Sequence, residues 1–194
     1  MKTYENDLAE VIAEHRYRRL GGWLLFFIIV GIIATGISIF RFAMDIYIAV
    51  QFVFYFALSL GDLMFFEGAM LLYGLLGLLS GLFAIISIIQ IFMRKPKFLR
   101  NYQISQLMLM SSVTVIILIV VFAFGELDIF FFILVGGVVF VAFLTLFLVP
   151  LYFCKSIRVR VYMGSDEYIS KAIIKFKNQP PLDASVLKDI DWMH

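Results

Sequence analysis

The chain has 194 residues, 63% hydrophobic and 15% charged, and its 16 basic and 14 acidic residues leave a net charge of +2. Soluble domains carry about 25% charged residues; here mean hydropathy is +1.00 and long windows hold no charge, which excludes a soluble fold because surface helices alternate buried and exposed positions. One cysteine, Cys154, and two distant histidines, His15 and His194, exclude an intrachain disulfide, a thiolate cluster and a histidine metal site, and the small net charge comes with no nucleic-acid-binding module.

Residues 1–19 predict a cytoplasmic N-terminal helix, DLAEVIAEHRYRR, with Asp7 as cap, Glu10 three residues on, and Leu8, Val11 and Ile12 on its apolar side. The first uncharged window follows at 20–40. It exceeds the roughly 7–15-residue apolar region of a secretory leader and reads as a retained anchor, with Trp23 at the interface.

Residues 46–66, IYIAVQFVFYFALSLGDLMFF, pose the topological question. Ile46–Leu60 makes about 22 Å of helix at about 1.5 Å per residue, a length suited to re-entrant or interfacial segments. Tyr47, Gln51, Tyr55, Ser59 and Asp62 recur at helical spacing as one polar stripe. The expectation is an outer helix at about 46–62, lying on or dipping into the extracytoplasmic leaflet.

Windows at 68–93, 104–124 and 129–153 complete four transmembrane helices, each near the ~20 residues a bilayer core of about 30 Å requires. Pro150 falls in the last turn of the fourth, where a kink or early end loses few bonds. With both ends inside, fifteen of the 16 bases are cytoplasmic, as the positive-inside rule favours. A fifth span at 46–66 with the N-terminus inside would leave four there. The exception, Arg41, is expected to snorkel or to pair with Asp45 one turn on. The outer acids Asp45, Asp62, Glu67, Glu126 and Asp128 are of the right chemistry for a hard cation, but the simpler reading is solvated loop charge and no metal.

Residues 154–194 form a cytoplasmic tail with an amphipathic helix at about 166–177 capped by Ser165. Ile169, Ala172, Ile173 and Phe176 share a face, and Lys171, Lys175 and Lys177 lie elsewhere, so the helix is expected on the anionic inner leaflet. Beyond Pro180 and Pro181 the chain reads as loosely ordered.

The windows contain no ionisable residue, and the sequence has no HExxH, phosphate loop or serine–histidine pair. No catalytic residue, cofactor or metal is expected. Gly74, Gly77, Gly81 and Ala84 mark a helix-packing or partner face on the second span, and Ala34 and Ser38 a smaller patch on the first. Arg94, Lys95, Lys97, Arg100, Arg158 and Arg160 are candidate contacts for anionic lipid.

LGGWL at Gly21, Gly22, Trp23 and Leu24, the basic loop RKPKFLR, and VPLYFCKSIRVRVYM at 149–163 together resemble domain-of-unknown-function family 2569 of small bacterial inner-membrane proteins. The third stretch matches at Pro150, Tyr152, Phe153, Ser156, Arg158, Val159 and Arg160; it departs at Leu151 and at Val161-Tyr162. The resemblance covers about residues 19–163 and implies four spans with an apolar extracytoplasmic segment after the first, and no assigned activity. The expected function is a non-enzymatic membrane accessory or interaction protein, binding a membrane partner or a second copy. A small transport component with an uncharged polar path, and then a lipid-modifying enzyme, are the alternatives.

Overall fold

A computed structural model describes residues 20–56, 61–124 and 129–176. Among them the chain is helical and holds no strand: α1 (Gly22–Phe56), α2 (Gly61–Phe92), α3 (Phe98–Phe124) and α4 (Ile129–Lys155) precede two short helices, α5 (Ile157–Met163) and α6 (Glu167–Ser170). The N-terminal helix expected in 1–19, the loop at 125–128 and the tail beyond 176 lie outside the described residues.

Candidate spanning segments run over Gly22–Gln51, Gly68–Phe92 and Phe98–Ile119, and Val139–Lys155 with α5 forms a fourth candidate bent by 70°. Three to four helices are therefore long and apolar enough to cross a membrane, the arrangement of a multi-pass membrane protein.

α1 corrects the expectation for 46–62. Its 35 residues continue through Arg41 and Asp45 to Phe56, about 52 Å at about 1.5 Å per residue. The segment after Phe40 is thus the second half of the first helix, and no separate outer helix begins at Ile46. Arg41 and Asp45 do not stop the helix, because an i,i+4 pair of opposite charges is compatible with it and the flanking residues contain neither glycine nor proline.

Neighbouring helices run antiparallel. Ile46 lies on Gly74, Phe42 on Gly77 and Ile39 on Gly81, while Ile88 approaches Gly31, so ascending positions on α1 meet descending ones on α2. Between α2 and α3, the Oγ atoms of Ser112, Ser80 and Ser87 donate to the carbonyls of Tyr73, Ser105 and Phe98 at 3.0, 2.9 and 2.9 Å. Between α3 and α4, the Tyr102 hydroxyl donates to the Thr145 carbonyl at 3.2 Å and Thr145 Oγ1 to Gln106 Oε1 at 3.0 Å. Each long helix packs chiefly on the next in sequence, giving an open row. α1 and α4 meet at one end, where the Phe27 ring lies 5.1 Å from that of Tyr152.

At that same end sits the buried apolar core, built from Leu24, Ile28, Ile91, Phe98, Leu99, Phe153, Val159, Tyr162 and Tyr168. Away from it the helices turn large side chains outward, including Ile33, Ile37, Phe40 and Phe140, as expected where lipid is the solvent. α4 runs through Pro150 to Lys155 and breaks only at Ser156, whose backbone is extended at φ −71°, ψ 116°. The missing proline N–H near the end of a helix costs little.

Candidate functional site

The inner core brings together the stretches LGGWL and SIRVR. A methyl group at Gly21 would stand 2.8 Å from Arg158 Nη2, and one at Gly22 3.1 Å from Nη1. Gly22 also has φ +56°, a left-handed conformation natural to glycine. The paired glycines therefore make room for a guanidinium from the far end of the chain.

Of the six candidate lipid contacts, Arg94, Lys95, Lys97 and Arg100 are exposed around the α2–α3 turn and Arg158 is half-buried. Arg160 departs from the expectation. It is 4% exposed and forms a bidentate pair with Asp166, Nε donating to Oδ1 at 2.7 Å and Nη2 to Oδ2. A base neutralised inside the protein is not offered to headgroups, and spacing alone could not reveal that its partner lies across the Gly164 turn. Arg94 closes α2: its N–H donates to Ile91 O and that of Lys95 to Gln90 O, the pattern of a Schellman turn. Its left-handed φ of 53° costs on the order of 1–3 kcal/mol without a glycine. A cation–π contact over Tyr162 at 4.9 Å offsets part of this.

The amphipathic helix expected over 166–177 is cut to one turn, Glu167–Ser170, with Asp166 rather than Ser165 at the N-cap position and no side-chain cap hydrogen bond. Gln103 is the reason. This fully buried amide accepts from the Ile173 and Ile174 N–H groups at 2.6 and 3.2 Å and donates to the Ile174 carbonyl at 3.1 Å. Hydrogen bonds to α3 replace those the helix would have made, and Ala172 is buried beneath. The Tyr168 hydroxyl donates to the Phe153 carbonyl at 2.7 Å; burial raises its pKa well above the usual 10.0, so it remains a donor.

The small-residue face of α2 lies within the chain. Gly74, Gly77 and Gly81 are covered by Ile46, Phe42 and Ile39, with Ala84 half-buried one turn on. The stripe foreseen on one outer helix is divided: Tyr47, Gln51 and Tyr55 belong to α1, Asp62 to α2, and Ser59 lies outside the described residues. Tyr47 is exposed and Gln51 half-buried.

A third locality lies on α1. The expected pairing of Arg41 with Asp45 is present, Nε and Oδ2 lying 3.9 Å apart, and it falls within α1, inside its candidate spanning segment, rather than in a loop. Tyr73 of α2 lies beside both, its ring 5.2 Å from Phe42. The four-residue spacing foretold the pair; the approach of Tyr73 from α2 was not legible in it. Among the described residues no three histidine, cysteine or carboxylate side chains group to hold a metal; Glu126 and Asp128 fall outside them.

Comparison with protein-family models, with curated proteins and with solved structures returns no match.

Proposed function

We propose that this chain is a non-enzymatic accessory or interaction protein of the bacterial inner membrane, spanning it four times with both ends cytoplasmic. The supporting observation is that hydroxyls within the helices, those of Ser80, Ser87, Ser112, Tyr102 and Thr145, close one helix of the chain on another. Such bonds hold a membrane fold together, at about 0.6–2 kcal/mol each, rather than facing a substrate. What the row of helices presents outward is apolar side chains, with the exposed bases Arg94, Lys95, Lys97 and Arg100 at one end. Those surfaces suit neighbouring membrane helices and anionic headgroups.

Affinity isolation in mild detergent is the test: a stoichiometric membrane partner or a self-associated form is expected. A strictly monomeric species with no partner under several growth conditions would defeat the proposal. One observation favours a transport component instead, namely the Arg41, Asp45 and Tyr73 group within the spans. Solute flux in reconstituted vesicles, lost in Asp45→Asn, would install that reading in its place.

A further inference from the structure

The bases of the α2–α3 turn have a fixed place. α2 and α3 are antiparallel neighbours whose candidate spans, of 25 and 22 residues, end at Phe92 and begin at Phe98. These are about 38 and 33 Å long at about 1.5 Å per residue, against a bilayer core of about 30 Å. The turn between them therefore sits within about one helical turn of the headgroups. Phe92 and Met93, 49% and 60% exposed, are the last apolar side chains before it. Arg94, Lys95, Lys97 and Arg100 follow at once, all exposed. The acids described at this end are occupied elsewhere, Asp166 by Arg160 and Glu167 by Lys171.

The turn is also held rigidly. Arg94 keeps the left-handed φ of 53° that closes α2, a conformation glycine adopts without strain, and its guanidinium is laid over the Tyr162 ring at 4.9 Å. Tyr162 is itself buried in the core, so the fold aims this cation. Pro96 fixes one backbone angle of the turn, and Asn101 Nδ2 donates to Gln90 Oε1 across it at 2.9 Å. Phe98 and Leu99 are completely buried. Four cations are thus carried on a backbone already ordered by folding, and preorganisation of this kind raises affinity because the ligand need not order the site.

We propose that the α2–α3 turn is a preformed, saturable site for the phosphate of an anionic phospholipid in the adjoining leaflet. The inference rests on the reading of these bases as headgroup contacts and deepens it, from a diffuse attraction to a site with named members. Arg94 and Arg100 supply planar guanidinium forks that match phosphate oxygens, while Lys95 and Lys97 supply point charges. The exposed Phe92 and Met93 lie on the membrane side of the turn, where the acyl chains of the same lipid run; a soluble anion would leave them unused. Arg160, buried against Asp166, has no part in it.

Full-length protein in mild detergent, titrated with phosphatidylglycerol and followed by native mass spectrometry, is expected to retain this lipid saturably and in preference to phosphatidylcholine. Lys97→Gln and Arg100→Gln should each weaken retention about five-fold. Arg94→Gly should weaken it at least as far, yet unfold in phosphatidylcholine nanodiscs no more easily than wild type, because glycine relaxes the left-handed backbone. That variant separates binding from folding. Lys155→Gln, which removes another exposed base at the same end, should leave retention unchanged. Equal loss in Lys155→Gln would show charge acting over the whole end and overturn the site. Undiminished retention in Arg94→Gly, or release of the lipid by millimolar inorganic phosphate, would overturn it as well. Absence of any lipid preference also overturns it, and wild type then still isolated with a membrane partner or a second copy leaves the interaction reading standing. Saturable lipid with neither partner nor second copy keeps the site and brings down that reading instead.

Discussion

Single side chains in this protein work by what they leave out as much as by what they contribute. Gly77 has no room for a Cβ beside the Phe42 ring, while Gly68 has nothing within 4 Å. Both are helical, so alanine brings each about 1 kcal/mol of intrinsic propensity. At Gly77 overpacking of about 1–3 kcal/mol opposes and exceeds that gain. Gly77→Ala should therefore destabilise by up to about 2 kcal/mol and Gly68→Ala should stabilise by up to about 1 kcal/mol, as read by reversible unfolding in detergent. Equal effects at both positions would show that α1 does not lie on the Gly77 face. The glycine spacing was visible in the sequence, but whether α1, lipid or another protein fills it depends on which helix arrives there. The same holds for Gly21 and Gly22, whose neighbour is Arg158, more than a hundred residues away.

At the scale of elements, tertiary hydrogen bonds override local pattern. The apolar spacing of Ile169, Ala172, Ile173 and Phe176 suits a helix, but the buried Gln103 amide draws Ile173 and Ile174 out of it. Ile169 and Phe176 still pack toward the core as the pattern implied. Gln103→Leu keeps similar bulk and removes the acceptor, leaving two amides without their partner at a cost of about 1–3 kcal/mol. Hydrogen exchange at Ile173 and Ile174 should then quicken by about 10–100-fold, with the α3 amides unchanged. Unaltered exchange would mean that Gln103 does not hold this segment. α1 teaches the opposite lesson, since charges that read as a boundary are absorbed into one continuous helix. A window that ends at Arg41 leaves out the rest of this helix, although the four-residue Arg41–Asp45 spacing is itself legible in the sequence.

At the scale of the whole molecule, the proposed orientation rests on charge. Both ends in the cytoplasm would put the exposed Lys97 in the α2–α3 turn on the inner side and positions 62 and 126 on the outer side. Single-cysteine variants of an otherwise intact chain carrying Cys154→Ala provide the check. An impermeant thiol reagent should label Asp62→Cys and Glu126→Cys in intact cells and spare Lys97→Cys until the membrane is opened. Labelling at 97 and protection at 62 and 126 would invert the topology. α1 and α2 run antiparallel, so together they return the chain toward the side on which α1 begins; the labelling pattern further requires the bent α4–α5 pair to make the fourth crossing.

By itself the sequence determined that this chain is helical and carries apolar segments of membrane-spanning length. Hydropathy and charge spacing are properties of residues along the chain, and the bilayer's thickness converts them directly into helices. Only the tertiary structure decided that 46–56 belongs to the first helix, that Arg160 is paired and buried, that Gln103 ends α6, and that Tyr73 comes to lie beside Arg41 and Asp45. Each depends on which distant side chain occupies a given space, and close packing between helices is specified by the contact of two surfaces, neither of which is written in the local pattern of one.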